Sequence, residues 1–469
     1  MAWTETKPGV WQRPIGDNER FIKFIGDRAH KTGREHWSVT SGASFALNPP
    51  LEPSELEARC LEAWSALRFE HPSIACTAND EEGKLTYHVP SPDALKSWAK
   101  ETFTLHGDTS ADNVIASLKP SRYTTAHLLP SPEGKHQILL HLAHWRTDGF
   151  GALQLINSFL QNLFSSLPLP WGEEPCRLTP SIETILSLPA TPTPEITTAT
   201  SHYLQTLAHT RNAAGVSLSP GTESPSTLPQ GTRGATFRFS PATTASIRST
   251  CAANSFSLLS AVHAACALLT LELCPSEDKS YTSTIRLSLR PYLPAPYGNN
   301  NPAYAAGLYT GGYMFPLAPG TSFLDACKLY ENEYKQGVTE DLLKSRREYA
   351  VRVLDIITKN QNQGNAVPPP VQSEIDISSV GDAEELVSSS RSFQVRREGG
   401  DKDVRVEVEV HDVLIGVETL TRQMYCFVWE FRGRLGLRIV YNEGYYTEER
   451  VKGMVGRLGE ILVGGLGLE

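Results

Sequence analysis

His141-Leu-Ala-His144-Trp-Arg-Thr-Asp148-Gly149-Phe-Gly151 is the stretch from which the rest of the chain can be read. The run before it and into it, residues 137–144 (QILLHLAH), is apolar enough for a buried strand. A turn follows at 146–149. After it, Phe150, Leu153, Ile156, Phe159, Leu160 and Leu163 recur on one face of a helix. The end of a buried strand is a rigid platform, and the loop beyond it presents side chains to a cleft. His144 stands there, and an imidazole with its ordinary pKa near working pH is suited to take a proton from a hydroxyl or amine. Strand alternation places Leu140, Leu142 and His144 on one face and Leu139, His141 and Ala143 on the other, so only His144 is counted as a candidate. Each residue also has a plainer reading. A lone His144 fits a satisfied core histidine, Asp148 precedes a helix and fits its N-cap, and Gly149 fits the needs of a tight turn.

The pattern around this stretch alternates strands and helices. Residues 38–47 read as a strand. A helix opens at Pro53-Ser54, carries Leu56, Cys60, Leu61, Trp64 and Leu67 at helical spacing, and stops near His71-Pro72. Residues 85–89 suggest a further strand. From 187 the composition shifts to Pro, Ser, Thr and Gly, with one helical stretch near 199–212. We therefore take 1–195 as a first lobe carrying the His144 motif, 196–234 as a crossover, and 235–469 as a second lobe. The second lobe repeats the theme. It has a strand at 235–240, a helix after Pro241, an apolar helix at 256–273 and a strand at 280–289. A loop and strand occupy 297–316, and one helix is expected over 322–357. A Pro-rich loop at 367–370, a strand at 404–410 and a solvated turn at 396–403 come next. A hairpin at 424–432 and 435–441 turns at Arg432-Gly433, and a closing helix starts at Thr447. The expected class is α/β (α+β), with two lobes, each a mixed sheet flanked by helices, and a site between them.

Composition narrows the function. The chain has 469 residues and a globular apolar content of 40%. Asp+Glu exceed Lys+Arg, 52 to 43, for a formal charge of -9. That balance argues against a nucleic-acid groove and against a polybasic membrane surface. The sequence has no apolar run near the ~18 residues a membrane span needs. Its N-terminus, MAWTETKPGVWQRP, is too polar for a signal core, so a cytoplasmic protein is expected. The eight cysteines are scattered with no C-x-x-C pair, which fits reduced thiols rather than disulfides or zinc. No metal site is expected, and monomer is the default state.

An H-x-x-x-D-G motif at a strand end, in the first half of a chain of this length, resembles the chloramphenicol-acetyltransferase-like superfamily. That group includes BAHD acyltransferases and the condensation domains of peptide synthetases. Three later stretches add to the resemblance: Ser288-Leu-Arg290-Pro-Tyr-Leu-Pro294, Gly307-Leu-Tyr-Thr-Gly-Gly-Tyr-Met-Phe, and 435–442 (LGLRIVYN). The likeness extends to fungal trichothecene 15-O-acetyltransferase-type enzymes. Two departures qualify it: position 143 is Ala where condensation domains show a second histidine, and no D-F-G-W-G occurs. A free-standing acyltransferase fits better than a synthetase domain or a plant enzyme.

The resemblance implies that His144 acts as general base on an acceptor hydroxyl, which attacks an acyl-CoA or carrier-protein thioester with no covalent intermediate. It implies an active-site channel between the lobes, a structural Asp148 paired with Arg290, and no tightly bound cofactor. A hydrophobic secondary metabolite is the expected acceptor. For the oxyanion, the Gly149 amide and the hydroxyls of Ser378 and Ser379 are candidates; the two serines also read simply as part of a strand at 375–380. Tyr309 and Tyr313 are candidates for a pocket wall or for core. His263 reads as core. Two rivals stand beside acyl transfer: a fold repurposed for a cyclisation without acyl donor, and a non-catalytic docking module.

Overall fold

The computed structural model describes residues 2–164, 168–222, 227–298, 300–362, 373–396 and 403–468. The expected Pro-rich loop at 367–370 and most of the expected turn at 396–403 lie outside the described residues. The chain forms two compact units. The first takes Met1–Ser187, Leu293–Tyr309 and Ala383–Gly416; the second takes Leu188–Tyr292, Thr310–Asp382 and Val417–Glu469. The sequence reading drew its borders at 195 and 235 along a continuous chain. The units instead divide after Ser187, the 196–234 stretch lies in the second unit, and two later stretches return to the first.

In the first unit, a six-stranded mixed sheet runs in the order Ser390–Arg396, Asp403–Val417, Val39–Asn48, His136–Leu142, Thr125–Leu129, Phe103–Leu105. Val39–Asn48 and His136–Leu142 are antiparallel, with Val39 opposite Leu142 and Gly42 opposite Leu139. Gly42 is required by packing. A Cβ there would lie 2.6 Å from the Leu139 side chain and 2.7 Å from the Ile138 carbonyl oxygen. Helix Gly149–Gln161 packs on these two strands, and the Ser41 hydroxyl donates to its Ala152 carbonyl at 3.0 Å. Helix Pro53–Glu70 begins with proline at its first turn, where no amide is needed, and buries Leu56, Cys60, Trp64 and Leu67 at the expected spacing. A smaller antiparallel sheet joins Thr4–Lys7, Val10–Pro14, Lys84–His88 and Thr77–Asn79.

The second unit centres on a four-stranded mixed sheet, Ile375–Asp382, Met424–Phe431, Arg434–Asn442 and Thr232–Arg238. Every residue of Met424–Phe431 is buried, as an inner strand covered on both faces requires. Helices Leu258–Glu272 and Glu448–Gly465 fill one core with it through Ala261, Cys266, Leu435, Leu437, Val451 and Leu458. The hairpin turns at Arg432 and Gly433, both at positive φ (50° and 67°), the conformation that suits a two-residue β-turn. The single helix expected over 322–357 is two, Phe323–Gln336 and Glu340–Asn362. Gly337, at φ 61°, ends the first. Pro194–Thr206, inside the expected crossover, is a helix capped by the Thr193 hydroxyl. No single helix among the described residues is long and apolar enough to cross a membrane. All eight cysteines are free; six are buried and Cys176 is exposed.

Candidate active site

The strand carrying the motif stops two residues before His144. Leu142 is its last residue, Ala143 stays extended, and His144–Arg146 forms one 3-10 turn. The alternation argument therefore applies to His141 but does not reach His144. The turn closes through Arg146 N–H to the Ala143 carbonyl and Thr147 N–H to the His144 carbonyl, at 3.0 and 3.2 Å. Thr147 returns to extended backbone, and its hydroxyl donates to the Ala305 carbonyl at 2.9 Å. This geometry brings the Thr147 carbonyl oxygen to 2.9 Å from His144 Nδ1. A carbonyl only accepts, so Nδ1 carries the proton and Nε2 of the neutral ring carries the lone pair. The half-buried ring is thus held in the tautomer whose Nε2 carries the free lone pair.

Asp148 is the N-cap of Gly149–Gln161. Its Oδ1 accepts from Gly151 N–H at 2.9 Å, while Oδ2 accepts from Tyr309 N–H at 3.0 Å. The carboxylate therefore ties the motif both to the helix it starts and to the returning 293–309 stretch. Tyr309 is fully buried, and its hydroxyl donates to the Pro180 carbonyl at 2.9 Å. Its ring packs so closely on Gly307 that a Cβ there would lie 2.5 Å away. Tyr309 is therefore core and anchor of this segment. Gly149 is the first residue of the helix, where the aligned backbone dipoles favour negative charge. It does not take a positive φ.

His141 lies opposite Thr40 and Thr125, is 4% exposed, and is pushed down to about 4 by burial. An imidazole so held stays neutral at working pH. Arg146 stacks over Trp145 at 4.5 Å and donates to the Cys76 carbonyl at 2.5 Å, and burial lowers its pKa.

His144, Asp148, Gly149 and Tyr309 thus belong to one constellation in the first unit. Arg290, Ser378, Ser379 and Tyr313 belong to the second unit. Arg290 is 1% exposed and begins the 3-10 turn Arg290–Tyr292. Ser378 and Ser379 are half-buried on Ile375–Asp382; the Ser379 hydroxyl accepts from Gly381 N–H at 3.1 Å at a bulge in that strand. Tyr313 donates to Glu333 at 2.8 Å. His263 is fully buried between Ser283 and Tyr334, as expected of a core histidine. The sequence reading missed the Thr147 carbonyl and the Tyr309 amide. The only signal for the first is the three-residue spacing from His144, which a 3-10 turn brings together. Among the described residues, no cluster of His, Cys, Asp or Glu is arranged to hold a metal ion.

No protein-family model matches the chain. It is 47% identical to acetyltransferase pigO of Monascus ruber over its full length and 99% of that protein. It is 26% identical to O-acetyltransferase pigM of the same fungus, over its full length and 88% of that protein. Among solved structures, the TRI3 trichothecene 15-O-acetyltransferase of Fusarium sporotrichioides superposes with a TM-score of 0.80 at 17% identity, covering 99% of this chain and 97% of that one. That likeness shows the fold, a chloramphenicol-acetyltransferase-like and condensation-domain-like acyltransferase fold.

Proposed function

Since the chain belongs to the family of fungal acetyltransferases that includes pigO, an acyltransferase family of secondary metabolism, we propose that it moves a short acyl group, acetyl in the first instance, from acyl-CoA to a hydroxyl of a hydrophobic secondary metabolite. His144 is the general base. Its Nε2 takes the hydroxyl proton as the oxygen attacks the thioester carbonyl. The tetrahedral adduct then collapses, the carbon–sulfur bond breaks, and the imidazolium returns its proton to the departing thiolate, giving ester and free thiol. The observation that carries this reading is the Nδ1–H bond to the Thr147 carbonyl, which leaves the basic lone pair on Nε2.

The Gly149 amide, at a helix start, is the favoured oxyanion donor; Ser378 and Ser379 are weaker ones. Asp148 is structural. Arg290 is proposed as its partner, as the resemblance implies. Arg290→Ala is then expected to lower melting temperature and activity together, whereas lost activity at unchanged melting would give Arg290 a substrate contact instead.

The reading is tested by incubating the protein with acetyl-CoA and a panel of hydroxylated polyketide and terpenoid alcohols while following free thiol. Acceptor-dependent release that falls roughly 10²–10⁴-fold in His144→Ala is expected. Conversion of a linear substrate without CoA, persisting in that variant, would replace transfer by a cyclisation.

A further inference from the structure

Helix Gly149–Gln161 carries a polar side chain where its neighbours are apolar. Gln154 is 5% exposed and sits among Ala152, Leu153, Leu155 and Ile156, all fully buried. Its Nε2 donates to the Asn300 carbonyl at 2.6 Å. A carbonyl only accepts, so the side-chain amide must turn its nitrogen toward it. This arrangement is costly. Gln154 Oε1 and Asn300 Oδ1 are both buried and meet no donor among the described residues. Asn300 also holds φ 54°, a left-handed state that asparagine tolerates better than most residues. A buried polar group kept at such a cost is explained by what it holds in place. What Gln154 holds is the start of a segment that meets the His144 turn further on. The helix packs on the 3-10 turn Pro302–Tyr304, whose first bond runs from Ala303 N–H to Asn301 Oδ1 at 3.0 Å. Directly after that turn the Ala305 carbonyl accepts from the Thr147 hydroxyl, and Tyr309 N–H donates to Asp148. Thr147, Asp148 and Gln154 thus bond three main-chain groups of 300–309, which runs back along the helix from Gln154 to the motif.

We propose that Gln154 is a positioning residue for His144, acting through the 300–309 segment on the Thr147 carbonyl. The proposal rests on His144 being the base. Gln154 fixes the segment at Asn300, the end remote from the motif. The 3-10 turn carries that constraint on to Ala305, whose carbonyl holds the Thr147 hydroxyl. The Thr147 carbonyl in turn lies 2.9 Å from His144 Nδ1. Every link belongs to the first unit. The tautomer of an imidazole is set by the bond its other nitrogen makes. Loosening the Thr147 carbonyl therefore lets the ring proton move to Nε2, where it occupies the lone pair that receives the hydroxyl proton. Gln154 acts on the ring and not on the reacting atoms, so its loss lowers turnover and leaves substrate binding alone.

The experiment compares the full chain with Gln154→Met, which keeps the length of the side chain and loses the amide. It reads the NMR shifts of the His144 ring nitrogens, assigned by their loss in His144→Ala, and the kcat and KM of acyl transfer. Gln154→Met removes one orphaned oxygen and leaves one carbonyl without its donor, so the melting temperature is expected to move little. In the parent, Nδ1 carries the proton and Nε2 does not. In Gln154→Met the two nitrogen shifts are expected to move toward each other as both tautomers fill. With them kcat falls about fivefold to tenfold while the KM values for donor and acceptor change little. Gln154→Asn, which keeps a shorter amide, should lie between. Thr147→Val replaces the next hydroxyl in the path by a methyl and should give the same signature. The double variant should then lose less than the product of the two single losses, because both act on one path. Parent nitrogen shifts in Gln154→Met, whatever its melting temperature, or single losses that simply multiply in the double variant, would overturn the proposal. If the parent releases no thiol with any acceptor, the transfer reading falls, and the nitrogen shifts alone decide whether Gln154 sets the ring.

Discussion

At His144 one hydrogen bond sets the tautomer of the ring, and that bond depends on the residues around Thr147. The Thr147 carbonyl stays in place because its hydroxyl is bound to Ala305 and because Asp148 next door holds two backbone amides, Gly151 and Tyr309. Asp148→Ala leaves both amides short of an acceptor, at about 1–3 kcal/mol in unfolding free energy. It also frees the turn that sets the His144 tautomer. We expect urea unfolding to show that loss and kcat to fall with it; an unchanged midpoint would show that the carboxylate bonds are dispensable. Asp148→Asn keeps one acceptor and should lie between. The turn at His144 and the helix cap at Asp148 were legible in the sequence because both residue types stand out where an apolar strand gives way to a helix. The Thr147 and Tyr309 contributions come from main-chain atoms, which every residue shares.

Elements were legible where packing repeats in sequence. Leu56, Cys60, Trp64 and Leu67 bury one face of Pro53–Glu70, and their spacing announced the helix. Thr4–Lys7 is exposed at every position and so left no apolar alternation to read. The helix pair at Gly337 was missed because apolar residues go on recurring past the break; the break is marked by Gly337 at positive φ and by the Thr339 hydroxyl, which accepts from Leu342 N–H at 3.1 Å. Gly337→Ala should therefore cost about 1–2 kcal/mol in chemical denaturation. A neutral result would mean that the break does not need glycine. Gly42→Ala tests the sheet beneath the site. A methyl would press on Leu139 and the Ile138 carbonyl, and a loss of about 1–3 kcal/mol is expected from overpacking between the two strands that lead to His144.

For the molecule as a whole, the sequence conveyed the two-part plan but not the path of the chain. Ser390–Arg396 and Asp403–Val417 add to a sheet whose other strands lie more than two hundred residues earlier, and local patterns do not encode such pairing. The buried ionisable groups set the pH range of stability. His36, His71 and His141 are each held down to about 4 by burial, so the stability they contribute is present above their ordinary 6.5 and lost as pH falls toward 4. Glu374 runs the other way. Burial and the neighbouring Asp376 raise it from 4.5 to about 8, so its contribution is full at low pH and is lost as pH climbs through about 8. Its Oε1 accepts from Gln423 at 2.5 Å, a bond that a glutamine in its place can keep. Glu374→Gln should raise the melting temperature at about pH 8.5 and change it little near about pH 5. Equal shifts at both would remove the carboxyl from the account.

Thiol release from acetyl-CoA in the presence of the alcohol panel, compared between the parent chain and a folded His144→Ala, bears most directly on the central claim. The account predicts acceptor-dependent release that drops by at least about a hundredfold in the variant. Release at the parent rate without the imidazole would contradict it.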